Sequence, residues 1–125
     1  MRKQYHFRPS RHGYYAWDVE RLVELTKNFK RQRVKLDSIR EIDENFWFVD
    51  KNDNPTCRAI VEHMRLIEKA DMSFPIILSS DGRVMDGIHR VAKAVLKGYE
   101  TIEVVKFSQD PEPDYKDVHP NDLPY

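Results

Sequence analysis

A single cysteine, Cys57, stands among 125 residues, so the chain cannot build an internal disulfide framework. Its longest uninterrupted apolar runs are only a few residues, far short of the ~20 that a membrane-spanning helix needs. Arg2 and Lys3 are followed by no apolar stretch, so no secretory signal is expected and the cytoplasm is the default compartment. No C-x-x-C, H-E-x-x-H or similar spacing occurs, which speaks against a structural zinc; His6, His12 and His119 have no neighbouring ligand pattern. Internal repeats are lacking, and so is net charge, since 21 Lys/Arg balance 21 Asp/Glu.

What the chain does have is enough apolar material for one core. Hydrophobic residues make up 40%, including six Phe, six Tyr and two Trp, and the length suits one domain. Its charge is unevenly spread. Residues 1–35 hold ten Lys/Arg against three Asp/Glu, residues 36–107 ten against thirteen, and residues 108–125 one against five. Two readings follow. The basic front and the acidic end lie together and neutralise, or the front is a face for nucleic acid or another polyanion. Tyr14, Tyr15 and Trp17 serve a core as readily as they stack on bases. The first reading is the one expected.

Residues 1–15 read as irregular, punctuated by Pro9 and Gly13. A helix is expected from Asp18 to about Phe29, with Val19, Leu22, Val23 and Phe29 near one face. Val34–Ile39 reads as a strand passing into a short helical or loop segment, with Phe46, Trp47 and Phe48 beyond it as a packing cluster. Asn54 is placed as an N-cap and Pro55 at the first position of a helix ending near Ala70. Ala59, Ile60, His63, Met64 and Ile67 give that helix its apolar spacing. Ser80-Asp81-Gly82 makes a hairpin turn between Pro75–Leu78 and Arg83–Met85. A helix from Ile88 to Lys97 should turn Val91, Ala92, Val95 and Leu96 inward and stop at Gly98. Thr101–Phe107 reads as the last strand. The remaining 18 residues carry four prolines and no periodicity, and read as an extended tail anchored by Leu123 and Tyr125.

The densest chemistry lies where a strand runs into a helix, at Asp86-Gly87-Ile88-His89-Arg90. The first N–H groups of a helix have no internal partner and, with the helix dipole, attract an anion. Gly87 allows close backbone approach and Arg90 offers a planar fork of donors. Two basic residues at a positive helix end are unfavourable unless an anion is there.

The ordered pieces around this junction resemble the ParB/sulfiredoxin-like superfamily. Pro75-Ile76-Ile77-Leu78 stands where ParB domains carry a core strand, and Gly87-Ile88-His89-Arg90 where they carry G-E-R-R. Gly98 and Ile102-Glu103-Val104 stand for their glycine and I-P-V strand. The D-G-I-H-R here is closest to the D-G-H-H-R of free-serine kinases in that superfamily. The resemblance covers Val34–Phe107. Ile88 replaces the sulfiredoxin cysteine, so sulfinic acid reduction is not expected. His89 replaces ParB's first box arginine, a departure that bears on CTP binding of the ParB kind.

The resemblance implies a small mixed sheet flanked by helices; with a basic N-terminal extension and helix added, the α/β single domain is read over residues 1–107, and residues 108–125 as an acidic Pro-rich tail. It implies a phosphate or nucleotide site and, as activity, a Mg²⁺-dependent phosphotransferase or nucleotide hydrolase, with ATP, ADP or CTP as nucleotide. A non-catalytic nucleic-acid- or protein-binding module and a nuclease stay open as alternatives. The expected ligand contacts are Gly87, Ile88, His89 and Arg90, with Lys93 three residues on and Arg58 on the preceding helix. Asp86 is expected as N-cap, as a Mg²⁺ ligand or as the residue orienting His89, which can carry a proton. Glu41, within the run Glu41, Asp43, Glu44, is the candidate base, against the plain alternative of surface acids. Arg58 and Glu62 are spaced for a surface salt bridge, and His63 for the core.

Overall fold

The structure, a computed structural model, describes residues 3–125. Its elements run β1 (Tyr5–Pro9), β2 (Tyr14–Asp18), α1 (Val19–Thr26), β3 (Gln32–Lys35), α2 (Cys57–Lys69), β4 (Ile76–Leu78), β5 (Val84–Asp86), α3 (Ile88–Leu96), β6 (Thr101–Lys106) and β7 (Tyr115–Val118). Short 3-10 turns occupy Leu36–Ser38, Arg40–Asp43 and Pro120–Asp122. Together they form a small mixed α/β domain with two sheets. One sheet has the order β3-β6-β4-β5, and only the β4–β6 pair is parallel. The other is antiparallel, β1-β2-β7. Among the described residues no helix is long and apolar enough to cross a membrane.

The middle of the four-stranded sheet is buried on both faces, and β4 and β5 are accordingly short apolar runs, whereas the edge strand β3, Gln32–Lys35, is mostly exposed. Successive side chains on a strand point to opposite faces. Ile76, Leu78, Val84, Ile102 and Val104 therefore meet Val91 and Ala94 of α3 together with Leu36 and Ile39. Ile77, Met85, Val105 and Phe107 meet Trp17 of β2 and Leu22 of α1. Asp18 caps α1 by accepting from the Glu20 N–H at 2.9 Å, and Leu22 and Thr26, one turn apart, are its buried face. The helix ends at Thr26 rather than near Phe29. Val23 is half exposed, and Phe29 leaves the helix to pack edge-on against Phe107 at 5.3 Å.

Several boundaries differ from the sequence expectation. The α2 cap is Thr56, which accepts from the Ala59 N–H at 3.1 Å; Asn54 and Pro55 precede it. Only Ile67 of α2 is fully buried, while Ile60 and Met64 remain nearly half exposed, because α2 packs on α3 and not on a sheet. On α3 the inward residues are Val91 and Ala94; Val95 and Leu96 face out. The core strand begins at Gln32, and from Leu36 the chain already turns into 3-10 geometry.

The larger difference concerns the ends of the chain. Residues 1–15, read as irregular, hold β1 and the start of β2, and the acidic end contributes β7. Pro9 is tolerated because it terminates an edge strand. Thr101–Lys106 is thus not the last strand. Basic front and acidic end meet as expected: Arg21 reaches Asp114 at 3.1 Å and the Glu112 carbonyl at 2.9 Å, and Arg8 lies 3.9 Å from Asp110. The Trp17 indole donates to the Pro111 carbonyl at 2.8 Å, and Leu123 is buried. Arg2, counted in the basic front, lies outside the described residues.

Cutting the chain after Ser108 removes β7, the Trp17 acceptor and Leu123 together. An unsatisfied buried donor alone costs about 1–3 kcal/mol. The truncated chain should lose at least about 3 kcal/mol in urea denaturation. An unchanged midpoint would show the end to be an ornament on a complete core.

Candidate functional site

A cleft of about 1040 Å³ opens beside the β5–α3 junction. One wall is β1, through Tyr5, His6 and Phe7. A second is the irregular segment 44–53, through Phe46, Trp47, Asp50 and Asp53. The floor is Asp86 through Arg90. Lys3, Lys69, Asp71, Pro120 and Tyr125 complete the rim. The cleft is therefore shared between the core sheet and the sheet that the two ends of the chain build.

The junction itself is shaped by Gly87. Its φ of 109° lies in the left-handed region, and a Cβ there would stand 2.7 Å from Arg90 Nη2 and 2.8 Å from Ile76 Cδ1. No side chain caps α3. Asp86, expected as that cap, is instead the last residue of β5, and Gly87 takes the position. Asp86 Oδ2 accepts from Arg90 Nη2 at 3.1 Å, and the same nitrogen lies 3.3 Å from the Pro75 carbonyl. Arg90 thus folds back over Gly87 and neutralises Asp86, and its buried Nε has no hydrogen-bond partner among the described residues. An anion at the helix start would have the backbone N–H groups to itself but would compete with Asp86 for Arg90.

His89 faces a second arrangement. Its Nε2 lies 3.0 Å from His63 Nδ1, so one ring donates and the other accepts. Trp47 stacks on both, with centroids 4.2 Å from His63 and 5.1 Å from His89, and Phe48 meets His63 edge-on at 5.6 Å. Burial lowers both histidines' proton affinity. Each ring's neighbour matters too: His63 lowers His89 further, whereas Asp53 partly restores His63. Both rings are neutral at pH 7.

The other named residues lie elsewhere. Glu41 is buried rather than a surface acid: its Oε2 accepts from the Val84 N–H at 2.7 Å, and its Oε1 faces Arg83 at 3.9 Å with no hydrogen-bond partner among the described residues. It satisfies the outer edge of β5 and does not line the cleft. Asp43 is exposed, and Glu44 pairs with Arg83 at 2.5 Å. Lys93 is neither solvated nor a ligand group. It donates to the Glu68 and Ala70 carbonyls, both at 2.9 Å, where the α2 dipole is negative. Arg58 is exposed on the first turn of α2, away from the cleft, and Glu62 pairs with Arg65 at 3.4 Å rather than with Arg58. Among the described residues no group of three His, Cys, Asp or Glu could hold a metal ion.

The sequence did not show that Trp47, His63 and His89 meet, nor that β1 supplies a wall. The aromatic run 46–48 and the apolar-side placement of His63 were the available signals. Compared with protein-family models, with curated proteins and with solved structures, the chain finds no match.

Two outcomes test this geometry. Gly87→Ala forces a side chain into a left-handed position and displaces Arg90, and should cost about 1–3 kcal/mol in chemical denaturation; a neutral result would remove the structural role of the turn. His6 supplies the second. Burial, then the Arg8 charge, pushes its pKa from 6.5 down to about 4, with Asp110 and Asp81 opposing. Unfolded His6 takes up its proton near pH 6.5, whereas folded His6 waits until about pH 4. The stability this gives is full above pH 6.5 and is lost as pH falls toward 4, up to about 3 kcal/mol. His6→Gln should flatten that decline in urea titrations at pH 7 and pH 4.5; an unchanged slope would contradict it.

Proposed function

We propose that the chain is a phosphate- and nucleotide-binding domain of the ParB/sulfiredoxin-like type, its cleft taking a nucleotide or a phosphorylated small molecule. The observation that carries this reading is the left-handed Gly87, which leaves the start of α3 without a side-chain cap at the floor of a cleft of about 1040 Å³. Backbone N–H groups at a helix start are suited to phosphate. The cleft volume is at the upper end of the usual ligand-site range, and Tyr5, Phe7 and Trp47 offer apolar wall for a base. Lys69 lies on the rim to offset phosphate charge, whereas Lys3 is held by Asp18 at 2.7 Å.

Phosphotransfer or nucleotide hydrolysis is the chemistry that suits such a site, since it rests on positioning and charge. A Mg²⁺ centre of the chain's own is not supported: Asp86 is engaged by Arg90, and among the described residues no cluster of three His, Cys, Asp or Glu could hold a metal ion. The neutral His89 ring is the best placed proton acceptor on the floor, and Glu41 is not. The nucleic-acid reading is less favoured, because Lys3, Arg8 and Arg21 of the basic front each pair with an acid of the same chain.

Thermal shift and calorimetry with ATP, ADP, CTP, inorganic phosphate and duplex DNA, each with and without Mg²⁺, test the reading. A nucleotide should raise the melting point by mass action. Lys69→Ala should weaken binding by about 0.5–1 kcal/mol with no change in the melting point of the free protein. Duplex DNA binding with no response to any nucleotide or phosphate would overturn it.

A further inference from the structure

We propose that residues 44–53 form a lid on this cleft, latched by Trp47 against the hydrogen-bonded His63–His89 pair, and that protonation of the pair releases it. The lid contributes a wall of the cleft, so the proposal rests on the nucleotide-site reading for what it regulates, but the latch stands on its own geometry.

The segment is held in an unusual way. Its hydrogen bonds close within it: Asn45 with Phe48, Asp50 with Asn52 and Asp53. At its start Glu44 is anchored on Arg83 at 2.5 Å, and at its end Thr56 caps α2. Between those fixed points the described side chains tie it to the body by rings. Trp47 lies nearly parallel to His63 and His89, tilted by 20° and 17°, and Phe48 abuts His63. Val49 and Asp50, beyond the rings, are exposed. A central part of the lid's fit is therefore one indole laid on two imidazoles from different helices, with Phe46 and Phe48 beside the apolar face of α3.

That fit depends on the charge of the pair. One proton between the two nitrogens at 3.0 Å leaves a donor and an acceptor. A first added proton gives an N–H donor on one ring with the other still accepting, and the charge lies over an indole face, which tolerates a cation. A second added proton leaves two donors facing each other and two like charges with ring centroids 5.3 Å apart. The rings must separate, and Trp47 loses its platform. The two titrate as a coupled unit, with release at the lower step.

The surroundings do little to hold such a charge. From the lid, Asp53 is the carboxylate whose charge reaches His63. At the end of β5, Asp86 is already paired with Arg90 of α3, and on α2 Glu62 is paired with Arg65. Burial lowers the proton affinity of both rings, so the latch is closed at neutral pH and opens on acidification.

The test is ¹H–¹⁵N NMR of the full chain from pH 7.5 to 5 without ligand, following the two indole N–H signals, the histidine rings and the amides of residues 46–53. The Trp47 indole and the lid amides should shift or broaden with the lower histidine step, while the Trp17 indole, bonded to Pro111, stays in place. His63→Gln keeps a hydrogen-bonding partner for His89 but cannot titrate; it should abolish the lower step and the lid-amide transition that goes with it, leaving at Trp47 only the shift from His89's own charge, with the Trp17 signal showing the fold intact. A Trp47 signal that stays flat, a lid-amide transition that survives His63→Gln, or one shared with Trp17 as in global unfolding would overturn the latch. ATP titrated at pH 7.5 and 5.5 separates the two proposals. A pH-dependent lid with no ATP response at either pH would sink the nucleotide reading and leave the latch intact.

Discussion

The left-handed turn at Gly87 is the constraint on which the site depends. It lets β5, fixed in the sheet through Val84 and Met85, pass directly into α3, fixed on the same sheet through Val91 and Ala94. With no Cβ at that corner, Arg90 can lie across it, reach Asp86 and the Pro75 carbonyl, and close the charge of the corner. The helix start then faces the cleft uncapped, and His89, on the same turn, meets His63 of α2. One residue's backbone geometry thus couples the core to the two arrangements on the cleft floor.

The charges of the molecule are organised around the core rather than by sequence neighbourhood. The front is basic and the end acidic, and both are strands of one sheet laid against the core through Trp17. Arg8 bridges from β1 to the hairpin, donating to Ser79 Oγ at 2.8 Å and lying 3.3 Å from Asp81, which also accepts from Ser79. The pKa of Asp81 falls to about 2, chiefly through the Ser79 hydroxyl. Exposed pairs of this kind contribute little singly. Their value here is placement, because they hold β1 where its aromatic side chains form a wall of the cleft.

Much of the core was legible in the sequence. The hairpin around Ser80-Asp81-Gly82, the strand-to-helix step at Gly87 and the Gly98 stop follow from turn chemistry and apolar runs, which are local signals. What was not legible depended on distant partners. Tyr115–Val118 is polar and flanked by prolines, and becomes a strand only because β2 offers an edge. Ile60 and Met64 have helical spacing but no sheet beneath them. At the site, Gly87 was read from its neighbours, whereas the Arg90–Asp86 pair was visible only as the plainer alternative to anion binding. Glu41 showed the limit of reading charge as exposure: its carboxylate is buried because it replaces a missing strand partner at Val84.

The proposed nucleotide site requires that the uncapped start of α3 receive a phosphate. Backbone amide shifts on titration with inorganic phosphate and then ATP measure this most directly. Saturable shifts are expected at Gly87, Ile88, His89 and Arg90, with ATP adding changes at Tyr5, Phe7 and Trp47. Shifts confined to surface lysines and arginines, with those four amides unmoved at saturating ATP, would contradict it.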